Sequence, residues 1–307
     1  MSSFSIIFSP EILAATLRSM PPLLLAGLAG ILTKRAGIEN IGLEGLMLIG
    51  CFSGYTVNYL TESWILGILG GMIATTLIAL LFGFFVIVLR SNEIIAGVAI
   101  NSLGAGLSTY LLRMMFGVKG SFYDPRVQAI PRASFNALKG IPLLNTILNN
   151  QSIIVWISIA LALLVNLLLF YTRLGTYVRA AGEDEEALAT SGINVKKIRF
   201  ITIIFHGILC GLGGAYLSTG YLTQFIENMS AGRGFIAMAA IAFSGAHPLR
   251  ILGATGLFAF VESIAYRLQS INVPSYFALM TPYVVTVITL AITSYKGLKD
   301  KKGRRLV

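Results

Sequence analysis

The sequence predicts an all-α fold, a bundle of helices that crosses a lipid bilayer many times. Hydrophobic residues make up 56% of the 307 residues and charged residues only 12%, against about 25% charged in a soluble domain. The mean hydropathy is +0.80. A spanning helix needs about 20 apolar residues because the hydrocarbon core is about 30 Å thick. We therefore expect one membrane domain over 1–307 with roughly eight to ten spans.

Long apolar runs bounded by charged or turn residues are the candidate spans. They are 11–33, 41–60, 64–89, 93–116, 152–171, 199–221, 234–248, 250–270 and 275–295. Glycines and Pro21-Pro22 interrupt some of them, so kinks and half-helices are expected. The two runs between 234 and 270 also fit a re-entrant element followed by a single span.

Basic residues predict the orientation of these spans. The tail 296–307 holds six Lys and Arg residues, and the positive-inside rule places such a cluster in the cytoplasm. Counting spans back from the tail also puts the 172–198 loop, Arg90 and Lys34-Arg35 inside. The basic segment 117–150 falls outside, as an irregular loop with a short surface helix. The net charge of +10 therefore indicates topology and contact with anionic lipid, and we expect no nucleic-acid partner.

The inner loop 172–198 has the pattern of a short amphipathic helix. Gly182 is expected to stop the preceding helix, acidic residues 183–186 suit a helix N-terminus, and Gly192 suits a helix end. Spacing alone favours a solvated acidic turn that merely joins two spans. Exposed apolar side chains would be unfavourable on such a loop, so Ala187, Leu188 and Ile193 are expected to need something that covers them.

Three stretches resemble a known family. Residues 175–193 read GTYVRAAGEDEEALATSGI and resemble the coupling loop of ABC importer permeases of the branched-chain amino acid, ribose and nucleoside superfamily. Residues 35–47, RAGIENIGLEGLM, resemble the branch that works with nucleoside-binding lipoproteins of the basic-membrane-protein type. Residues 230–240, SAGRGFIAMAA, followed by SGAHP at 244–248, are also typical of that branch. Sugar permeases usually carry Gly-x-Asp-Leu-Ser where this chain has Glu39-Asn40.

The resemblance implies a permease subunit of an ATP-driven importer of nucleosides in the bacterial plasma membrane. It implies a separate ABC ATPase, a second homologous permease in a heterodimer, and an extracytoplasmic substrate-binding lipoprotein. The residues that it assigns to ATPase coupling are Arg179, Ala180, Gly182, Glu183, Asp184, Glu185, Glu186, Ala187 and Gly192. The alternatives are the same type of importer for branched-chain amino acids or simple sugars, and an ion-coupled secondary transporter.

The sequence argues against an enzyme. It contains no G-x-x-x-x-G-K-[ST] motif, so a partner subunit must use the ATP, and no cofactor is expected on this chain. Gly211–Gly214 lie in an apolar run and suit close helix packing. His206 and His247 have no carboxylate or cysteine pair at ligand spacing, so we expect no metal and no catalytic residue.

Polar residues inside the predicted spans are the candidates for the transport path. An ionisable group at the bilayer centre costs about 2.5–3.5 kcal/mol, so it needs a reason to be there. The alternatives are a structural ion pair, snorkelling at the interface, or amides that bond helix to helix. The candidates within the spans are Glu44, Asn101 and Glu262, those just before the second run are Glu39 and Asn40, and Phe235 is an aromatic candidate for stacking on a base.

Two segments suggest inverted repeats. Residues 35–45 and 232–243 each have a glycine-containing start followed by a helix of small residues. The predicted topology starts them on opposite sides of the membrane. Inverted repeats place the transport path at their interface, so we expect the two segments to line a shared cavity.

Overall fold

The computed structural model describes residues 10–135 and 140–269, of which most are helical. The predicted span 275–295 and the basic tail 296–307 lie outside the described residues. The helices are α1 Pro10–Arg35, α2 Leu43–Thr61, α3 Trp64–Gly83, α4 Glu93–Phe116, α5 Pro142–Leu148, α6 Ile153–Tyr171, α7 Arg173–Glu183, α8 Glu185–Thr190, α9 Val195–Tyr216, α10 Arg233–Phe243 and α11 Arg250–Gln269. Wider π-helical turns, Phe84–Val88 and Leu217–Tyr221, continue α3 and α9.

Short strands join the segments between the helices. They are β1 Ser121–Phe122, β2 Arg132–Ala133, β3 Gln151–Ser152 and β4 Phe225–Ile226. β1 pairs antiparallel with β4, and β2 pairs antiparallel with β3. These pairs tie the segment between α4 and α6, which contains the short helix α5, to the bundle.

Five of the described helices are long and apolar enough to cross a membrane. They are Pro10–Arg35, Trp64–Val88, Glu93–Phe116, Ile153–Tyr171 and Val195–Tyr221. Each matches a predicted run, because the thickness of the bilayer sets the length of such a run in sequence. The chain is a multi-pass membrane protein with a helical-bundle fold, as predicted.

Helix α2 lies at the centre of the bundle. It is 19 residues long, it contacts α3, α4, α9 and α10, and most of its residues are buried. Protein surrounds it instead of lipid. This position explains how it can carry buried polar residues such as Glu44 and Asn58.

The predicted span 234–248 is wrong. Helix α10 has only 11 residues, about 16 Å of helix, and a turn follows it before α11 begins at Arg250. This length cannot cross a hydrocarbon core of about 30 Å. The alternative of a re-entrant element is also wrong, because Ile226 pairs with Ser121 at one end of the bundle and the Ala246 carbonyl accepts from Arg35 at the other. The segment crosses as non-helical chain followed by the short helix α10.

Glycines allow the central helices to approach closely. A Cβ atom placed on Gly104 of α4 would lie 2.6 Å from the Cα atom of Gly45 in α2. A Cβ atom on Gly211 of α9 would lie 2.7 Å from the Cα atom of Met72 in α3. A side chain fits at neither place, so the packing role predicted for the glycines of α9 is confirmed at Gly211.

Candidate functional site

Helices α2 and α10 start at the same point, and Glu44 joins them. Its Oε1 atom accepts hydrogen bonds from Ser230 Oγ at 2.5 Å and from the Gly232 N–H at 2.7 Å. Its Oε2 atom accepts one from the Gly234 N–H at 2.7 Å. A helix N-terminus favours a negative charge because its first N–H groups lack partners. The carboxylate of Glu44 on α2 thus caps the N-terminus of α10.

The two helices run from this point in opposite directions. Toward its end α2 reaches the face formed by the segment between α4 and α6, where the Asp124 N–H donates to Tyr55 Oη at 3.1 Å. We call this the outer face. After α10, the Ala246 carbonyl accepts from Arg35 Nε at 3.0 Å, on the opposite, inner face. Opposite directions are what the inverted-repeat hypothesis requires.

The segments named in that hypothesis also share a cavity. Arg35 from the first segment and Ile241 and Ala242 from the second line a cavity of about 400 Å³ on the inner face. Closer to the centre the segments touch, since a Cβ atom on Gly234 would lie 2.6 Å from the Glu44 Cα atom. The segments therefore meet directly at their helix starts and line a common cavity at the inner face.

Arg233 and Glu262 form a buried ion pair next to this junction. The Nη2 atom of Arg233 lies 2.5 Å from Glu262 Oε1 and also donates to Tyr266 Oη at 3.1 Å. Arg233 is 5% exposed and Glu262 is 7% exposed. Arg233 is flanked by the two glycines that bond Glu44, so it brings Glu44 and Glu262 into one polar cluster. We call Glu44, Arg233, Glu262 and Tyr266 the central cluster.

The two candidate asparagines hold the backbone that leads into α2. Asn40 Oδ1 accepts from the Gly42 N–H at 2.7 Å, and Asn40 Nδ2 lies 2.9 Å from His206 Nε2. Asn101 Oδ1 accepts from the Gly45 N–H at 2.8 Å, and its Nδ2 donates to the Ile41 carbonyl at 3.0 Å. Non-helical backbone inside a membrane needs such partners. These bonds favour the alternative in which the amides support structure.

Glu39 and Phe235 lie away from the central cluster. Glu39 is exposed, and its carboxylate lies 2.5 Å from Lys34 Nζ at the inner end of α1. Phe235 is 47% exposed on α10. Of the six predicted path residues, Glu44 and Glu262 therefore belong to one cluster, and Asn40 and Asn101 support the start of α2.

The inner loop folds into two helices, α7 and α8. Asp184 caps α8, since its Oδ1 atom accepts from the Ala187 N–H at 2.9 Å. Gly192 follows the end of α8 with a φ angle of +80°, which confirms the predicted helix end. The predicted stop at Gly182 is wrong, because α7 continues to Glu183. Glu183 therefore belongs to the end of α7 and not to the first turn of α8.

One face of α8 packs inward, and the rest of it is exposed. Leu188 is only 6% exposed and belongs to the hydrophobic core, so the protein itself supplies the cover that this side chain needs. Helix α8 contacts both α7 and α9. Glu185, Glu186 and Ala187 remain exposed. A partner at the inner face would therefore meet an acidic surface.

Arg199 connects this loop to the membrane helices. Its Nη1 atom lies 2.7 Å from Glu185 Oε2 on α8. Its Nε atom donates to the Ala36 carbonyl at 3.1 Å, and its Nη2 atom donates to the Ala181 carbonyl at 3.3 Å. Beside it, a Cβ atom on Gly182 would lie 2.8 Å from the Gly37 nitrogen. We call these contacts the inner joint.

Sequence reasoning missed Arg199 and Arg233 as site residues. Arg199 served only as a marker of the inner side, and nothing in its neighbourhood in the sequence names its three partners. For Arg233, a signal in the sequence did exist. The triplet Ile-Glu-Asn occurs at 38–40 and again at 226–228, a few residues before the starts of α2 and α10. This repeat marks the two segments that converge, and Arg233 begins the second helix.

His247 lies at the inner face beyond α10. Partial burial and the nearby charges of Arg250 and Arg35 lower its pKa. Its Nδ1 atom accepts from the Leu249 N–H at 3.2 Å, and its ring stacks on Phe170 with centroids 5.1 Å apart.

Within residues 10–135 and 140–269, no group of three or more His, Cys, Asp or Glu side chains could hold a metal ion.

Comparison with known proteins assigns the chain to a family. The family described as branched-chain amino acid transport system / permease component matches residues 12–292. The chain belongs to this family of permeases. The permease is 33% identical over 301 residues to the guanosine ABC transporter permease protein NupQ of Bacillus subtilis (strain 168), covering 94% of this chain and 93% of that protein.

Two further relatives carry different names. The nucleoside ABC transporter permease protein NupC of Lactococcus lactis subsp. cremoris (strain MG1363) is 32% identical, with 91% of each chain covered. TsgC13 of Haloferax volcanii, whose name assigns it to glucose transport as an ABC permease, is 29% identical over 98% of this chain and 95% of its own length.

A solved structure has a similar fold. It shows an inward-facing conformation of a transporter assigned to the metal-chelate type of ABC transporter. The TM-score is 0.52 over 92% of the permease and 85% of that chain, at 14% sequence identity. At this identity the likeness concerns the fold alone.

Proposed function

We propose that the permease is the membrane subunit of an ATP-driven importer that carries nucleosides across a bacterial plasma membrane. The inner joint carries this proposal, because it links the exposed helix α8 to the backbone between α1 and α2. The names of NupQ and NupC support a nucleoside as the cargo. The resemblance of residues 35–47 and 230–240 to the nucleoside branch of the family supports the same cargo.

Coupling to ATP hydrolysis runs through the inner loop. A separate ATPase docks on the exposed side of α8, and its closure displaces α8 and the end of α7. The Arg199 bonds to Glu185 and Ala36 transmit this displacement to the segment that leads into α2. The residues proposed to form the coupling surface are Arg179, Ala180, Gly182, Glu183, Asp184, Glu185, Glu186, Ala187 and Gly192.

The central cluster is the proposed hinge of the transport cycle. Because α2 and α10 share their start at Glu44, a movement of the segment before α2 reaches both helices. Opposed helices that move against each other open a path alternately to the two sides. Glu44 and Glu262 lie along that path, and Asn40 and Asn101 keep the backbone beside it in place. Glu39 lies at its inner end, and Phe235 on its flank.

The complete importer contains other proteins. We propose a second homologous permease that pairs with this one as a heterodimer, an ATPase subunit that binds and hydrolyses ATP, and an extracytoplasmic substrate-binding lipoprotein. The permease itself needs no bound cofactor for this role. Its exposed apolar side chains contact membrane lipid.

A simple sugar is the second candidate cargo. The name of TsgC13 favours it, and that relative covers nearly the whole permease. The same inner joint would serve either cargo, because coupling does not touch the substrate. A transport measurement must therefore decide between a nucleoside and a simple sugar as the cargo.

Uptake by cells tests the proposed function. Radiolabelled guanosine, glucose and leucine are supplied to cells with and without the gene, each challenged with unlabelled competitors. Loss of guanosine uptake alone is the expected result. Loss of glucose uptake alone would select the second cargo. Guanosine uptake that survives ATP depletion but is abolished by a protonophore would contradict the ATP-driven mechanism.

A further inference from the structure

A small cavity opens at the outer face, between α1, the end of α9 and β3. Its volume is about 200 Å³. This is room for roughly six waters at about 30 Å³ each, enough for a planar base or a ribose ring. The lining residues are Ala15, Arg18, Arg132, Asn150, Ser152, Tyr216, Gly220 and Tyr221.

The lining of this outer cavity is rich in hydrogen-bond donors. Two guanidinium groups, Arg18 and Arg132, face a cavity whose lining contains no carboxylate. Asn150 adds an amide to this lining, whereas the Oγ atom of Ser152 lies behind it, closed off from solvent. Guanidinium and amide donors with no carboxylate beside them suit a ligand that accepts hydrogen bonds.

A π-helical turn shapes the wall that faces Ser152. Residues Leu217–Tyr221 form this turn, and it places Gly220 and Tyr221 on the cavity. A Cβ atom on Gly220 would lie 2.6 Å from the Tyr216 ring, so the turn needs glycine there. Tyr216 is itself fixed, since its hydroxyl donates to the Arg18 carbonyl at 2.9 Å. Single π-helical turns inside α-helices occur frequently at functional sites.

Tyr221 also contacts the central cluster. The guanidinium carbon of Arg233 lies 6.0 Å from the Tyr221 ring centre. Two buried atoms of the cluster have no hydrogen-bond partner among the described residues, the Nε donor of Arg233 and the Oε2 acceptor of Glu262. The Tyr221 ring thus lies between the outer cavity on one side and, on the other, the central cluster, whose Arg233 Nε donor and Glu262 Oε2 acceptor have no partner among the described residues.

We propose that the outer cavity is an entry subsite for the nucleoside and that Tyr221 separates it from the next subsite at Arg233 and Glu262. This inference rests on the proposed function. Arg18 and Arg132 donate to the carbonyl oxygens and ring nitrogens of the base, and the tyrosine and guanidinium planes offer stacking surfaces. When Tyr221 moves, Glu262 Oε2 accepts from an N–H of the base or a ribose hydroxyl, while Arg233 Nε donates.

Protection of an introduced thiol tests the entry subsite in the complete transporter. Ala15→Cys places a small thiol on the cavity wall at a position that is partly exposed. The two native cysteines, Cys51 and Cys210, are buried, so background labelling by a membrane-impermeant methanethiosulfonate reagent is low. Ser134→Cys, on an exposed stretch of the same outer segment, is the matched control. Guanosine uptake is measured in the same cells.

Guanosine is expected to slow labelling of the Ala15→Cys variant by about tenfold at roughly ten times its Kd, and to leave the control unchanged. Unchanged labelling in cells that still take up guanosine would overturn the subsite while the proposed function stands. Protection by inorganic phosphate but not by guanosine would overturn it in favour of an anion site. Absence of guanosine uptake by the unmodified transporter would refute the proposed function instead.

Replacing Tyr221 tests the proposed step from the outer cavity to the subsite at Arg233 and Glu262. Tyr221→Ala is expected to lower guanosine uptake at least severalfold and to reduce protection of the Ala15→Cys thiol when the two changes are combined. Tyr110→Ala, at a tyrosine that is 61% exposed on α4, is the control and should leave both measurements unchanged. Full uptake and full protection with Tyr221→Ala would show that this ring takes no part in entry.

Discussion

Gly182 and Gly37 place the inner loop and the end of α1 in direct backbone contact. A Cβ atom on Gly182 would lie 2.8 Å from the Gly37 nitrogen, and Gly37 has a φ angle of +79° that favours glycine. Arg199 bonds the backbone on both sides of this contact. The first predictions follow from this arrangement.

Gly182→Ala is expected to abolish uptake while the protein still inserts into the membrane. The added methyl group forces the two backbones apart, and overpacking of this kind costs about 1–3 kcal/mol. Uptake and the amount of permease in membranes are measured together. Gly106→Ala is the control, because a Cβ atom there meets nothing within 4 Å. Normal uptake by the Gly182→Ala variant would argue against a coupling role for this contact.

Arg199→Lys is expected to reduce uptake by roughly tenfold, equivalent to about 1.4 kcal/mol, with little loss of stability. A lysine has one ammonium group and cannot bond Glu185, Ala36 and Ala181 together as the planar guanidinium does. The exposed ion pair itself contributes roughly 0.2–1 kcal/mol to stability. Lys196→Arg, at an exposed position on the same helix, is the control. ATPase activity that stays high while uptake falls would identify uncoupling.

Glu262→Ala is expected to destabilise the permease by about 3–5 kcal/mol, because it leaves the Arg233 charge buried without its partner. A double change, Arg233→Met with Glu262→Leu, should recover most of that stability, since neither charge remains. Thermal unfolding in detergent measures both. We expect the double variant to stay inactive in uptake because it lacks the donor and acceptor of the central cluster. A fully active double variant would reduce the pair to a structural role.

His247 is expected to titrate below the ordinary histidine pKa of about 6.5. Because the folded-state pKa is depressed, the stability that the neutral ring contributes is fully present above the ordinary value and is lost as pH falls through the lower one. Protonation also removes the Nδ1 acceptor of the Leu249 N–H. NMR of histidine-labelled permease measures the midpoint, and with 2 histidines in the chain, His247→Asn assigns the signal. A midpoint above 6.5 would contradict this environment.

Local patterns predicted much of the fold and part of the candidate site. Helices α4 and α6 match their predicted runs closely, because an apolar stretch of this length has few alternatives to a spanning helix. The end of α8 was also predictable, since Gly192, two residues after the last residue of this helix, has a positive φ angle that favours glycine. The family resemblance of 175–193 located the inner loop before any contact was known.

Long-range packing decided the features that were predicted wrongly. The 234–248 run is apolar enough for a span, yet α10 ends at Phe243 because it starts at Glu44 inside the bundle and has only half a membrane to cross. Leu188 lies in a polar loop in sequence, but it is buried in the hydrophobic core of the folded protein. Gly182 lies in the last turn of α7 and packs against Gly37, so its lack of a side chain serves a backbone contact.

The sequence by itself determined that this protein is a membrane-embedded helical bundle, because the length of an apolar run and the position of basic residues are local properties matched to a bilayer. The resemblance of its motifs to a permease family indicated the role. Only the tertiary structure decided which polar residues work together. Glu44 bonds Gly232 across 188 residues, and Arg199 bonds Ala36 across 163. Such partners are chosen when helices pack, since the buried charge or backbone group must find whichever complementary atom the fold brings near.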